Sequence, residues 1–247
     1  MILQEEFEKQ GNFLFRNRSY FPLFILLPGL ILFLNRELSF IGKPVNPISN
    51  LYQILCLVVC IMGFILRIYT VGYSAETTSG RNTIVQEAGS LNTTGTYSIV
   101  RHPLYLGNFF IWLGLCMFVQ NLYFLIIFIL TFWLYYERIM YSEEQFLKNK
   151  FGSCYLNWVH RTPAIIPKFN LFAKPEKKFS LRKVLRKEQD GFFALILLVC
   201  FFETIGDLIK NKSPVISDLH WYIIFFLGLI SYLFLKFLKK KTSVLDI

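Results

Sequence analysis

The sequence predicts an all-α, polytopic membrane protein, a helical bundle of about six transmembrane helices with a polar pocket at its cytoplasmic end. Three observations carry that prediction. Of the 247 residues, 54% are hydrophobic and 18% aromatic, with 27 phenylalanines, which is more apolar than a soluble domain of this length. Six apolar segments approach the roughly 20 residues that a helix needs to cross a bilayer. The 26 lysines and arginines divide very unevenly between the two sides that six spans define.

In chain order the spans are Tyr20–Asn35, Leu51–Val71, Pro103–Gln120, Leu122–Ile139, Phe192–Ile209 and Leu219–Leu238. The first is short and carries Pro22 and Pro28. With six spans, both termini and the second and fourth loops share one side. That side collects 22 of the lysines and arginines, and the other holds Arg36, Lys43, Lys210 and Lys212. Cationic residues concentrate on the cytoplasmic side. Both termini and both large polar loops are therefore expected in the cytoplasm, with the inner membrane as the location if the source is bacterial. The net charge of +10 reads as attraction to anionic headgroups and not to nucleic acid, because the lysines flank spans.

Four units are expected: residues 1–71 with two spans, a central core over 72–168, a basic juxtamembrane connector over 169–190, and a terminal hairpin over 191–247. Residues 1–19 mix Glu5, Glu6 and Glu8 with Phe7, Phe13 and Phe15. They lack the basic start and apolar run of a signal peptide and read as an interfacial helix. The next loop carries Pro44 and Pro47 and no chemistry. Five cysteines show no metal-ligand spacing and read as small buried hydrophobes. The three histidines are scattered, so no metal is expected.

The loop over 72–101 is different. Its Thr77–Thr83 and Leu91–Thr96 stretches (TTSGRNT and LNTTGT) bring hydroxyls, amides and turn residues to the membrane surface. Long loops of this kind are commonly functional. The sequon at Asn92 should be unused on a cytoplasmic face.

Gly95 to Gly107 reads GTYSIVRHPLYLG. Proline suits the first turn of a helix and pushes the residue before it out of helical geometry. Pro103 thus starts a helix with Arg101 and His102 at its N-terminus, where backbone N–H groups and the dipole favour an anion. Arg, His and Tyr also anchor spans at headgroup level, so this segment alone leaves both readings open. Gly107 and Gly114 are seven apart on one face, which lets a helix or a flat ligand come close. The span ending near Ile139 continues through Trp133–Gly152, WLYYERIMYSEEQFLKNKFG. Hairpin geometry brings His102, Tyr105, Arg138 and the Glu143–Glu144 pair to the same end. Glu203 and Asp207 sit inside the fifth span, where acids are commonly functional.

These residues resemble the superfamily of isoprenylcysteine carboxyl methyltransferases and phospholipid N-methyltransferases. The match runs from about Gly80 to Pro167: GxYxxVRHPxYxG, a short hairpin, a Glu-Glu pair, then FGxxY and a Pro…Ile-Pro tail. SGRNT, LNTTGTYSIVRHPLYLGN and YYERIMYSEE look closest to a bacterial branch containing lipid A 1-phosphate methyltransferases. The resemblance implies S-adenosyl-L-methionine as methyl donor, held in the cytoplasmic pocket. By position it implies cofactor contacts from Gly89, Ser90, Leu91, Asn92, Tyr97, His102, Pro103, Leu104, Tyr105 and Gly107. Glu143 and Glu144 would hold the cationic amine or the ribose hydroxyls. Arg138 and Arg101 are the implied catalytic residues, with Arg138 facing the acceptor. One departure stands out: Arg138 precedes Glu143 by five residues, so a continuous helix turns them about 140° apart.

Methyl transfer from sulfonium to oxygen needs alignment and water exclusion more than a strong base, since a phosphate or carboxylate is already ionised. Arginine can hold either anion bidentately. An amine acceptor such as phosphatidylethanolamine would need a group to take its proton. The expected partners are a membrane lipid substrate and the bilayer. The rival readings are a prenylcysteine carboxyl methyltransferase, an NADPH-dependent sterol-type reductase sharing the FGxxY and Pro…Ile-Pro tail, and a non-catalytic lipid-binding protein.

Overall fold

The computed structural model describes residues 2–41, 48–75, 86, 88–211 and 219–245. The Thr77–Thr83 stretch, Pro44 and Pro47 lie outside them. Among the described residues the chain is helical, with one isolated bridge between Gly95 and Ala173. The helices are α1 (Leu3–Arg16), α2 (Phe21–Ser39), α3 (Ile48–Tyr73), α4 (Thr96–Ile99), α5 (Pro103–Met117), α6 (Leu122–Phe151), α7 (Ser153–Val159), α8 (Leu181–Asn211) and α9 (Leu219–Lys241). A 3-10 turn occupies Phe169–Leu171.

Four stretches are long and apolar enough to cross a membrane: Leu51–Tyr73, Leu122–Phe151, Leu181–Ile209 and Leu219–Lys241. This is an integral membrane protein. Of the other two expected spans, α5 is apolar but has 15 residues, about 22 Å of rise against a hydrocarbon core of about 30 Å. It stops where Gln120 takes a positive φ of 54° and the Asn121 side chain caps α6 by accepting from Phe124 N. The last, α2, is a 19-residue helix with Pro28 inside it.

Close packing of α3 on α5 sets the centre of the bundle, and small residues make it work. A methyl group on Gly63 would lie 2.5 Å from the Gly107 carbonyl oxygen, and one on Gly107 would lie 2.6 Å from Arg67 Cγ. Gly114 sits against the Cys56 carbonyl and the Cys60 sulfur. Cys56, Cys60, Cys116 and Cys200 are buried and Cys154 is exposed, as the apolar reading of the cysteines expects. One apolar cluster joins α1, α2, α5 and α6 through Phe15, Phe124, Phe128, Phe132 and Tyr136. A second joins α3, α5 and α8 through Cys60, Phe64, Leu115 and Leu195. On the outer side α9 packs on α8, with Phe193 and Tyr232 stacked at 4.6 Å. Apart from that, α9 leaves large apolar side chains such as Phe226, Ile230 and Phe234 exposed, which suits lipid.

Candidate active site

The motif loop is built on one glycine. Gly95 has φ 65°, a region open to glycine and costly for residues with a Cβ. It donates its N–H to the Ala173 carbonyl at 2.9 Å. The one-turn helix α4 follows, then extended Val100, then His102 at φ −121°, ψ 59° as the cap of α5. Pro103 begins α5 and is fully buried. The tail over 158–173 lies along this loop. Trp158 Nε1 donates to the Tyr97 carbonyl (3.0 Å) and Ala173 N to Ser98 Oγ (2.9 Å). Arg101 N donates to the Pro163 carbonyl (2.8 Å) and Lys168 N to the Ile99 carbonyl (3.0 Å). Without helical partners of their own, these backbone groups are satisfied from the tail.

Two adjacent carboxylates of α6 meet this loop. At 30 residues α6 rises about 45 Å, so its last third extends past a hydrocarbon core of about 30 Å. Arg101 Nη1 donates to both oxygens of Glu144 at 2.7 Å. His102 Nε2 lies 3.0 Å from Glu144 Oε1, and its Nδ1 lies 3.8 Å from Glu143 Oε2. Tyr105 OH donates to Glu143 Oε1 at 2.6 Å. His102 therefore stands between the two acids, its ring stacked on Tyr105 at 5.8 Å, with Tyr136 at 4.7 Å from Tyr105 on the far side. The anion expected at the start of α5 is supplied by the protein's own Glu144. Gly152, at φ 54°, separates α6 from α7 and brings Tyr155 back to this cluster. Burial pushes the Tyr155 phenol above its ordinary value, Glu144 adds to the rise, and Arg101 opposes it.

A polar cleft opens between the end of α3, the 91–97 segment and Glu176–Lys177, and Tyr97 on its wall is close enough to Glu143 for that carboxylate to act on its phenol. Thr70, Ser74, Leu91, Asn92, Tyr97 and Glu176 are among its lining. Thr70 and Thr96 hydroxyls meet at 3.0 Å. Asn92 Oδ1 accepts from Ala75 N at 2.9 Å, while its Nδ2 is buried with no partner. Buried donors left this way are uncommon. For Tyr97, loss of contact with water raises the phenol pKa, Glu143 adds to this, and Arg67 pulls it down. Gly89 and Ser90 are exposed and precede Leu91 of the cleft in sequence.

Residues 51–154 match the family described as phospholipid methyltransferase. The match covers less than half of the chain. The matched segment contains α3 from Leu51 on, the motif loop, α5, all of α6 and the start of α7. Among curated proteins the chain is 38% identical over 78 residues to the protein-S-isoprenylcysteine O-methyltransferase of Schizosaccharomyces pombe, covering 31% of this chain and 33% of that protein. It is 33% identical over 132 residues to the protein of the same name from Tribolium castaneum, covering 51% of this chain and 43% of the other. It is 36% identical over 87 residues to the nickel-cobalt-cadmium resistance protein NccN of Alcaligenes xylosoxydans xylosoxydans, covering 35% and 40%. The chain thus spans less than half the length of these relatives. No solved structure gives a significant match.

Within the matched segment the structure brings Arg101, His102, Tyr105, Glu143 and Glu144 together and places Leu91, Asn92 and Tyr97 on the cleft. Gly107 faces Gly63 and Arg67 instead, and Leu104 turns its carbonyl to Arg67 Nη1 at 3.4 Å. Both belong to the α3–α5 contact. Arg138 stays outside the cluster. Because α6 is unbroken from Leu122 to Phe151, five residues carry Arg138 round to the α1 side. There it pairs with Glu137 at 3.2 Å and lies 3.4 Å over the Phe7 ring. Three polar residues next to the site escaped the sequence reading: Arg67, Asn108 and Glu188. Arg67 Nη1 donates to Asn108 Oδ1 at 2.7 Å, and its Nε and Nη2 hold the two oxygens of Glu188 at 2.8 and 2.7 Å. The available signal was a lone arginine and a lone asparagine inside apolar runs, where polar side chains normally have a partner.

Proposed function

We propose that the chain is an integral-membrane methyltransferase that uses S-adenosyl-L-methionine and methylates an anionic oxygen of a membrane-embedded acceptor at the cytoplasmic surface. The observation that carries this reading is the Glu143–Glu144 pair, facing His102 and Tyr105 in a segment that matches the phospholipid methyltransferase family and that contributes Tyr97 to a hydroxyl-lined cleft. The donor set fits the cofactor. Two adjacent carboxylates suit a cationic amine or ribose hydroxyls, and the partnerless Asn92 Nδ2 points to a missing acceptor. When bound, the cofactor supplies a methyl carbon on a positively charged sulfur, which an ionised oxygen can take up without a base. Glu143 and Glu144 offer negative charge to the cationic end of the cofactor. His102 is fixed between them, and Tyr105 orients Glu143 through its hydroxyl. The tail over the motif loop shields the backbone from water, where alignment and exclusion of solvent do most for the rate.

For the acceptor, a lipid phosphate such as lipid A 1-phosphate is proposed ahead of a prenylcysteine carboxylate. Twelve cationic residues lie between Arg138 and Lys187; Lys183 among them is buried, and each of those at the surface contributes on the order of 1 kcal/mol toward an anionic membrane. The carboxylate reading is favoured in turn by the relatives named as isoprenylcysteine O-methyltransferases. With the cleft in the cytoplasm, both termini lie on the same side, in line with the charge asymmetry.

Calorimetry on the full chain with S-adenosylhomocysteine tests the cofactor half, with saturable binding expected and NADPH giving none. Lipid mass spectrometry of cells with and without the gene tests the acceptor half. A lipid heavier by one methyl on a phosphate is expected. A methyl on an amine would overturn the anionic acceptor, and one on a prenylated peptide would change the substrate alone.

A further inference from the structure

The match to the phospholipid methyltransferase family ends at residue 154, yet an acid from α8 reaches into the centre of the matched segment. Glu188 is 5% exposed and meets Arg67 of α3 in a two-point ion pair. The same guanidinium then extends Nη1 to the Asn108 side chain and toward the Leu104 carbonyl, both on the first turns of α5. Those turns carry His102 and Tyr105. Arg67 passes there because Gly107 has no side chain, and a methyl group at 107 would meet its Cγ at 2.6 Å. The pair is held in register from the cytoplasmic side. Ser180 N donates to the Gly72 carbonyl at 3.0 Å, Lys183 Nζ donates to the Ser74 carbonyl, and the Phe179 ring fills the space beside Gly72. This clasp sets α8 antiparallel to α3, and Arg67 and Glu188 follow it on the two helices.

We propose that Glu188 is a positioning residue for the methyl-transfer site, acting through Arg67 and Asn108 on the first turns of α5, so that the C-terminal hairpin is part of the working enzyme and not an added anchor. The inference rests on the cofactor-binding reading given above. A guanidinium with two carboxylate contacts on one side has little freedom on the other. Its Nη1 is therefore aimed at α5, and α5 cannot rotate without breaking the Asn108 contact. Removing Glu188 frees that nitrogen to follow other acceptors, and His102 and Tyr105 lose their fixed relation to Glu143 and Glu144. A buried ion pair need not add stability in itself; here its effect is directional.

The test measures S-adenosylhomocysteine affinity by calorimetry on full-length protein in detergent, with thermal unfolding recorded alongside. The variants are Glu188→Gln, Asn108→Ala and the double variant. Glu188→Gln is expected to weaken binding about tenfold, and Asn108→Ala by a similar factor. The double variant should be no worse than about twofold beyond either, since contacting residues in one network couple and independent ones add. A purely structural tie would shift the unfolding temperature, leave affinity unchanged and give additive effects. Either unchanged affinity or additive losses overturns the inference. If Glu188→Gln does not fold, Asn108→Ala decides, because it leaves the ion pair intact: a wild-type dissociation constant in that variant overturns the inference. Absence of binding by the wild-type chain would instead overturn the cofactor reading itself.

Discussion

Arg101 places one nitrogen, Nη1, at 2.7 Å from both oxygens of Glu144, joining the last residue but one before α5 to the extended end of α6. The contact crosses 43 residues of chain and closes the polar end of the hairpin. It also fixes the carboxylate that His102 shares, so one pair serves both the fold and the candidate site.

Glu144→Gln should separate those two roles. The amide keeps the shape and one acceptor oxygen but leaves Arg101 without its counter-charge. A loss of about 1–3 kcal/mol in stability is expected for breaking a charged, partly buried contact. The variant should stay folded while S-adenosylhomocysteine binding falls below detection. Calorimetry paired with thermal unfolding measures both.

Tyr105→Phe removes only the hydroxyl that donates to Glu143 at 2.6 Å and keeps the ring between His102 and Tyr136. A hydrogen bond to a charged group is worth about 1.5–3 kcal/mol. Cofactor affinity should therefore fall by about tenfold or more, with a smaller change in unfolding temperature. The same affinity in both proteins would remove Tyr105 from the site.

Gly107→Val tests the close approach of α3 and α5. The new side chain meets Arg67 Cγ and the Gly63 carbonyl, and overpacking of this kind costs about 1–3 kcal/mol. Arg67 must move, so affinity should fall together with stability. By contrast, Gly152→Ala meets no atom within 4 Å, so its cost comes from the backbone alone: φ 54° with ψ −124° is a region open essentially to glycine, and a side chain there costs about 1–3 kcal/mol. Thermal unfolding of the two variants side by side gives the comparison.

Arg138→Ala should leave S-adenosylhomocysteine affinity within about twofold of wild type, since stability or binding effects of well-separated sites stay independent. What it removes is the stacking on Phe7, so limited proteolysis should cut the α1 segment faster. A large loss of cofactor affinity would return Arg138 to the site.

Much of the candidate site could be read from local chemistry. Pro103 announces the start of a helix wherever it stands, and the near-continuous hairpin made it simple to infer that His102, Tyr105 and the two glutamates share one end. The same helical arithmetic showed that Arg138 and Glu143 face different ways on an unbroken helix, and α6 is unbroken. The length of α5 was harder to judge, because its apolar composition continues through Phe118 and Val119 while the backbone turns on the positive φ of Gln120. Arg67, Asn108 and Glu188 were missed for a different reason. Their partnership depends on which faces of α3, α5 and α8 meet, and periodicity within a single span does not carry that information. The tail contacts, too, involve backbone groups, which have no residue-specific signature.

The hydrogen bond from Ala173 to Ser98 spans 75 positions, and this distance has a temporal side. Ribosomes add about 5–20 residues per second, so the Tyr97–Arg101 loop waits on the order of several seconds before the tail that completes its hydrogen bonding has been made. Until then its backbone donors face water or the insertion machinery, and the two glutamates of α6 leave the ribosome ahead of the tail. Chains ending before residue 173 should thus insert their first helices with the motif loop unfinished, and chains ending just beyond Lys177 should finish that loop while still lacking Glu188 of α8.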